Sequence, residues 1–263
     1  MQQKLLKLIE SLGYSITKIN KRAKQYADIT NPEFWEIHRL CKEFTMTSVE
    51  RMYALYCSVD YILKNDIKGT FVECGVWRGG SSMVIAKMLS NRNVNDRKIY
   101  LYDTFEGMSE PTHNDIDLRG ASASTLLKEN ENNKTDSVWC LADLSDVQHN
   151  LRLTNFPEEN LVYVKGKVED TIPETMPEDN IALLRLDTDW YDSTKHELMF
   201  LYPKLALNGV LIIDDYGHWE GCRKAVDEYF TEKRERILLQ RVDYTGRVGI
   251  KTSDSLLLPG SPS

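Results

Sequence analysis

Two short stretches place paired acidic residues at the ends of apolar runs. LLRLDTDWYDST, residues 183–194, sets Asp187 and Asp189 one residue apart, and GVLIIDDYGHW, residues 209–219, sets Asp214 beside Asp215. Carboxylates that gather at one point repel one another and lose hydration. A hard divalent cation removes both difficulties, and magnesium takes a few carboxylates and completes its octahedron with water or substrate oxygens. Asp187, Asp214 and Asp215 are therefore expected to converge on a magnesium ion. The plainer alternative is that Asp187 caps the next helix and the Asp214–Asp215 pair occupies an exposed turn. Asp189, one residue further into the loop, is a candidate general base or an outer-sphere partner of the ion, because a hydroxyl must lose its proton before it acts as a nucleophile.

Softer metals have no obvious ligands. The five histidines show no H-x-x-x-H or H-E-x-x-H spacing and the five cysteines no C-x-x-C, so zinc and copper are not expected.

TFVECGVWRGGSSMVIAKML, residues 70–89, is the second informative stretch. An apolar strand runs through Glu73 and opens into Gly75, Gly79 and Gly80, with Ser81 or Ser82 expected to cap the following helix. Glycines at a strand end let the backbone approach a ligand closely. The dinucleotide fingerprint G-x-G-x-x-G is not met, since Gly75 is followed by Val76, Trp77 and Arg78. An acidic residue before the loop suits a cationic ligand better than a pyrophosphate. S-adenosylmethionine, with an amino group, a sulfonium and a ribose diol, fits that requirement. The next strand ends in Asp103, placed to accept the ribose hydroxyls.

These positions need a scaffold. Five apolar runs, TFVECG, KIYLYD, LVYVKG, IALLRLD and GVLIID, alternate with the helix candidates SSMVIAKMLSN, DVQHNLRLT, DSTKHELMFLYPKL and EGCRKAVDEYFTE. Strands alternating with helices predict a doubly wound, mostly parallel α/β sheet, with the acidic ends on one edge. ILLQRVD and RVGIK are expected to close it as an antiparallel hairpin. Residues 1–65 read as N-terminal helices that cover the site. Within them TSVERMYALYCSVDYILKN forms an amphipathic helix capped by Thr47 or Ser48. Residues 66–252 are expected to form the main domain, with 106–160 as an insertion or lid, and 253–263 a disordered tail.

The chain has 263 residues, 33 basic and 40 acidic, with a formal charge of −7. That balance argues against nucleic acid or an anionic membrane as the main partner. No apolar stretch approaches the roughly 20 residues of a membrane helix, and the odd cysteine count suits a reducing compartment. A cytoplasmic protein is expected.

FVECGVWRGGSS, LYDTFEGM, GKVEDTIP, LLRLDTDWYDST and GVLIIDDYGHWEGCRKAVDEYF, in that order, resemble the macrocin O-methyltransferase family over roughly residues 30–250. The resemblance implies a Rossmann-like seven-stranded methyltransferase fold, S-adenosylmethionine, magnesium, a homo-oligomer and a sugar or similar diol as acceptor. Under it, Asp187, Asp214 and Asp215 are the metal ligands and Asp189 the base. A more distant similarity to catechol O-methyltransferase supports the cofactor placement. Glu73, Gly75, Trp77 and Ser81 match its first motif, Asp103 its ribose carboxylate, and Val168 and Glu169 its adenine-contacting turn. Val76, Gly79, Thr104 and Asp187 complete the expected cofactor contacts. Trp190 stands where the catechol enzymes carry a catalytic lysine, which favours Asp189 as base. One of Trp190 and Tyr191 is expected to pack and the other to touch the acceptor. His218 and Trp219 are possible acceptor contacts, Arg223 a helix-surface ion pair. Thr47, Ser48 and Arg51 could close over the methionine end of the cofactor. A magnesium-dependent phosphatase or nucleotide-sugar transferase is the alternative that the D-x-D and D-D pairs leave open, and a non-catalytic binding protein a third.

Overall fold

The computed structural model describes residues 25–135 and 137–252. The expected helices before residue 25 and the expected tail from residue 253 lie outside the described residues. The chain divides into two compact units, Met1–Trp35 and Glu36–Ser263. In the first, Asn31 Oδ1 accepts the Glu33 amide at 2.9 Å and opens helix α1 (Pro32–Cys41), while Trp35 Nε1 donates to the Ile29 carbonyl.

In the second unit, seven strands form one sheet in the order β3-β2-β1-β4-β5-β7-β6. They are β1 (Thr70–Cys74), β2 (Ile99–Asp103), β3 (Leu161–Lys165), β4 (Ile181–Leu186), β5 (Leu205–Ile213), β6 (Gln240–Arg241) and β7 (Arg247–Ile250). The first five run parallel, and β7 returns antiparallel against β5 and carries β6. All six residues of β4 and all five of β1 are buried, as a parallel strand covered on both faces requires. The doubly wound reading holds.

Pleating divides the side chains. Val72, Cys74, Leu184, Leu186, Leu211 and Ile213 enter one core layer under α7 (Tyr191–Phe200) and α8 (Glu220–Glu232), which pack on each other. The alternate positions of β1 and β4 include Glu73 and Arg185, which are register partners on adjacent strands. On their side lie α2 (Val49–Lys64) and α3 (Gly80–Asn91). Helix α2 is capped by Ser48, whose hydroxyl accepts the Arg51 amide at 3.1 Å, a contact worth about 1 kcal/mol. This helix, expected in an N-terminal extension ending at residue 65, packs with the sheet-bearing unit, against α3, β4 and β5.

Three elements differ from expectation. The helix expected over 192–205 stops at Phe200, and a 3-10 turn, Tyr202–Lys204, leads into a β5 that already starts at Leu205; Pro203 has no N–H for a helical bond. The cap of α3 is Gly79 in the left-handed region, not a serine, because Ser82 turns its hydroxyl to Glu73. The 106–160 segment is the β2-to-β3 crossover and holds α4 (Ala123–Glu129) and α5 (Leu144–Arg152), with α5 packed on α3. A short helix, α6 (Val168–Thr171), follows β3. Among the described residues no helix is long and apolar enough to cross a membrane.

Candidate active site

The sheet's carboxyl edge is extended by backbone bonds beyond the strands. Gly75 N donates to Tyr102 O at 2.9 Å, Asp187 N to Cys74 O at 2.8 Å and Asp214 N to Leu186 O at 2.9 Å. This continued ladder brings Gly75, Asp103, Asp187 and Asp214 to one edge, where a cavity of about 320 Å³ opens. Glu73, Val76, Trp77, Ser81, Asp189 and Asp215 also line it, as do Arg51, His218 and Trp219. A smaller lobe of about 60 Å³ shares Gly75, Asp103 and Asp187 and adds Thr104, Val168 and Glu169. Thus the expected cofactor residues come together with the acidic strand ends. Gly79 is the exception: it caps α3 against Leu151 and Val147 and lines neither lobe.

Gly75 has φ +81°, and a Cβ there would lie 1.9 Å from the Asp187 carbonyl oxygen, so only glycine lets β1 and β4 leave the sheet side by side. Asp103 shapes the same loop: Oδ2 accepts the amides of Val76 at 2.6 Å and Trp77 at 3.1 Å, and Oδ1 that of Phe105 at 2.7 Å. Burial raises its pKa against the pull of these amides. The Thr104 hydroxyl is spent on the next turn, donating to Gly107 O.

What neutralises the acidic strand ends is first of all the protein itself. Arg185, 1% exposed, sends Nη1 to Glu73 Oε1 at 2.6 Å and Asp187 Oδ2 at 2.7 Å, and Nη2 to Asp214 Oδ1 at 2.6 Å. Thr47 Oγ1 takes a further bond at 3.3 Å. Burial opposes the arginine's charge, but Asp187 and Glu73 outweigh it and raise its pKa. Glu73 is itself pushed up to about 7 by burial, against Arg185 and the Ser82 hydroxyl bonded to its other oxygen. Arg51, from the first turn of α2, pairs with the second oxygen of Asp214 and, through Nε at 3.1 Å, with Asp243. Sequence reasoning named neither arginine as a partner of these carboxylates. The signal for Arg185 was a basic residue inside an apolar strand two positions before Asp187, hence on the same face; Arg51 gave none.

Among the described residues, the two guanidiniums do not balance the six carboxylates that line the cavity, Glu73, Asp103, Asp187, Asp189, Asp214 and Asp215. The excess shows at Asp215 and Asp189. Both are raised, by burial first; repulsion from Asp189 and Asp187 adds to this at Asp215, and repulsion from Asp187 at Asp189, where hydrogen bonds with Asp215 and Trp219 pull the other way. Among the described residues, Asp215 Oδ2 is buried without a partner. One oxygen from each of Asp187, Asp214 and Asp215 lies within 4.8 Å of the others, a donor set of hard oxygens suited to magnesium. The plainer reading of these residues as a helix cap and an exposed turn fails. Trp190, not Asp187, is the N-cap residue of α7, and Asp214 and Asp215 are 3% and 8% exposed.

Asp189 sits at φ +67° in a tight turn closed by Trp190 N to Thr188 O at 2.7 Å. Left-handed backbone at a non-glycine residue costs about 1–3 kcal/mol and persists where the surroundings enforce it. Here it sets Asp189 against Asp215 and Trp219 in the cavity wall. Trp190 packs edge-on against Trp219 with centroids 4.9 Å apart and donates to Ser109 O. Tyr191 turns away to Glu228 and Lys195 and lines neither lobe, whereas Trp219 and His218 line the main cavity. Arg223 pairs with Glu220 at 3.7 Å on the surface of α8.

Behind the smaller lobe, Glu197 of α7 is fully buried; Oε1 accepts the Thr188 hydroxyl at 2.9 Å and Oε2 has no partner among the described residues. Burial holds its pKa well above 4.5. The unfolded chain releases this proton near 4.5 and the folded one retains it to higher pH, so stability falls as pH rises above 4.5. Glu197→Gln is expected to remove that slope and to stabilise the protein at pH 8 by about 1–2 kcal/mol. Urea midpoints at pH 5 and pH 8 check this; parallel profiles for the two proteins would refute it.

The family model Macrocin-O-methyltransferase (TylF) matches residues 20–248. Demethyldecarbamoylnovobiocin O-methyltransferase of Streptomyces niveus is 34% identical over 185 residues, 70% of this chain and 67% of its own length. Mycinamicin III 3''-O-methyltransferase of Micromonospora griseorubida is 31% identical over 185 residues, 70% and 69% of the two chains. Among solved structures, the O-methyltransferase NovP superposes with a TM-score of 0.70 at 29% identity, covering 80% of this chain and 83% of its own. With the sheet order, the glycine loop and the acidic edge in agreement, the chain belongs to the macrocin O-methyltransferase family of S-adenosylmethionine-dependent enzymes.

Proposed function

We propose that this O-methyltransferase moves a methyl group from S-adenosylmethionine to a hydroxyl of a sugar or similar diol-bearing small molecule, with magnesium held by Asp187, Asp214 and Asp215. The observation that carries the reading is the convergence of these three carboxylates, one with a buried partnerless oxygen, beside the Gly75 loop in a single cavity. Asp103, Thr104, Val168 and Glu169 line the lobe we assign to the ribose and adenine. Glu73, Val76, Trp77 and Ser81 wall the part of the main cavity next to it, and its excess negative charge suits a ligand carrying a sulfonium and an ammonium. When bound, the cation supplies Lewis acidity that lowers the pKa of an acceptor hydroxyl and fixes its orientation.

Asp189 is the base in this reading. Its carboxylate lies in the wall with a raised proton affinity, where it would take the hydroxyl proton as the acceptor oxygen displaces the thioether of S-adenosylhomocysteine from the methyl carbon. Gly107, Met108, Val138 and Cys140, from the 106–160 stretch read as an insertion or lid, line the cavity, which supports a cover that excludes water. The names of the two relatives are those of antibiotic O-methyltransferases, which supports a glycosylated metabolite as acceptor. Five free cysteines support a reducing, cytoplasmic setting, and a homo-oligomer rests on the family resemblance. The domain reading becomes a catalytic unit from Glu36 onward, with the β2-to-β3 crossover as its cover. A phosphatase or sugar transferase gives the glycine loop no role.

Calorimetry with S-adenosylhomocysteine and transfer of labelled methyl onto a panel of vicinal diols test the proposal. Asp215→Asn or removal of the cation by chelation is expected to cut transfer on the order of a hundredfold or more, with S-adenosylhomocysteine affinity retained. Transfer indifferent to chelation would end the cation mechanism.

A further inference from the structure

The charge arrangement around Asp214 poses a problem for any cation that uses it. Both its oxygens already hold a guanidinium, Oδ1 that of Arg185 at 2.6 Å and Oδ2 that of Arg51. A divalent ion bound there beside both arginines would set three positive centres on one carboxylate, which favours the departure of one arginine. The two differ in what they would leave behind. Arg185 has a 2% exposed side chain and bonds Glu73, Asp187 and Thr47 besides Asp214, so its departure would strand buried carboxylates. Arg51 is 14% exposed, lines the cavity and has one other ionic partner in the site, Asp243.

We propose that Arg51 is the exchangeable counter-ion of this site. In the cation-free protein it neutralises Asp214; when a divalent cation binds, Arg51 gives up that carboxylate and rests on Asp243. The inference depends on the cation reading above and deepens it.

The resting place is built for the purpose. Asp243 Oδ2 accepts Arg51 Nε at 3.1 Å and the Ser48 hydroxyl at 2.8 Å. Its Oδ1 accepts the amides of Thr245 at 2.9 Å and Gly246 at 2.7 Å, so the carboxylate is fixed before and after the exchange. Because Nε and Nη1 are different donors, the bond to Asp243 persists while the one to Asp214 is lost, and the charge is never left unpaired. Gly246 keeps the path open. A Cβ at that position would lie 2.8 Å from Arg51 Cδ and 2.9 Å from Cγ. Ser48 also caps α2, so cation occupancy is tied to the helix start that overlies the cavity.

A double-mutant cycle on the full chain, read as Mn²⁺ affinity by electron paramagnetic resonance of the free ion, tests this without any acceptor or turnover. Arg51→Met is expected to bind Mn²⁺ about tenfold tighter, since no bond must be broken, and Arg51→Gln serves if the methionine variant folds poorly. Asp243→Asn removes the resting place and is expected to weaken Mn²⁺ binding severalfold in the Arg51 protein, yet by less than about twofold when residue 51 is methionine or glutamine. That loss of effect separates exchange from simple repulsion, under which Asp243→Asn weakens binding equally in both backgrounds. Equal weakening, or no gain in Arg51→Met and Arg51→Gln, overturns the exchange while leaving the cation site intact. Absence of Mn²⁺ binding in the unmutated protein, or affinity unchanged in Asp214→Asn, overturns the cation reading and the exchange together.

Discussion

Arg185→Met is expected to cost about 3–5 kcal/mol of stability, because one change leaves Glu73 buried without a counter-charge and takes a guanidinium from Asp187 and Asp214. The guanidinium is the shared partner of Glu73, Asp187 and Asp214 at 2.6–2.7 Å. Methionine fills much of the same volume, so the loss reports charge and hydrogen bonds more than a cavity. A urea midpoint reads it directly. Adding Glu73→Gln to Arg185→Met should recover part of the loss, since an amide in that place needs no counter-ion and can still accept from Ser82. A midpoint equal to that of the unmutated protein would show that the arginine is not what balances the acidic edge.

The second large effect is catalytic. Asp189→Asn is expected to lower the rate of methyl transfer by about 10²–10⁴-fold, the usual worth of a positioned proton acceptor. Asparagine is the informative substitution because it tolerates the left-handed backbone that residue 189 adopts at φ +67°. The turn therefore survives while the proton-accepting charge goes. Affinity for S-adenosylhomocysteine should stay within about twofold, as expected of a group acting in the transition state rather than in ground-state binding. A variant that turns over normally would remove Asp189 from the chemistry and leave the aspartate as a structural partner of Asp215 and Trp219.

How the fold could be read in advance follows from which features are local. Each buried parallel strand is a short apolar run, and turn chemistry marks its end, so TFVEC, IYLYD, LVYVK, IALLRL and the core of β5 were visible as strands. The helix end at Phe200 was harder, because 192–205 keeps an apolar helical pattern through Pro203 and into the first residue of β5. Tertiary packing, not periodicity, decides that Leu205 pairs with Ile181. The serine cap expected for α3 failed for a related reason: a hydroxyl that a local rule assigns to the helix is drawn off by a buried carboxylate nine residues earlier.

Which carboxylates gather was legible from strand ends alone. Asp187 and Asp214 end adjacent parallel strands, and parallel register places equivalent strand ends side by side. Equally legible was that the glycine after β1 must accept a close neighbour. How that negative charge is held depends on the assembled fold. Arg185 meets Glu73 across 112 residues of chain and Arg51 meets Asp214 across 163. Strand propensity and spacing act over a few residues, whereas the pairing of charges in a low-dielectric interior is set by which side chains the completed fold leaves within hydrogen-bonding distance.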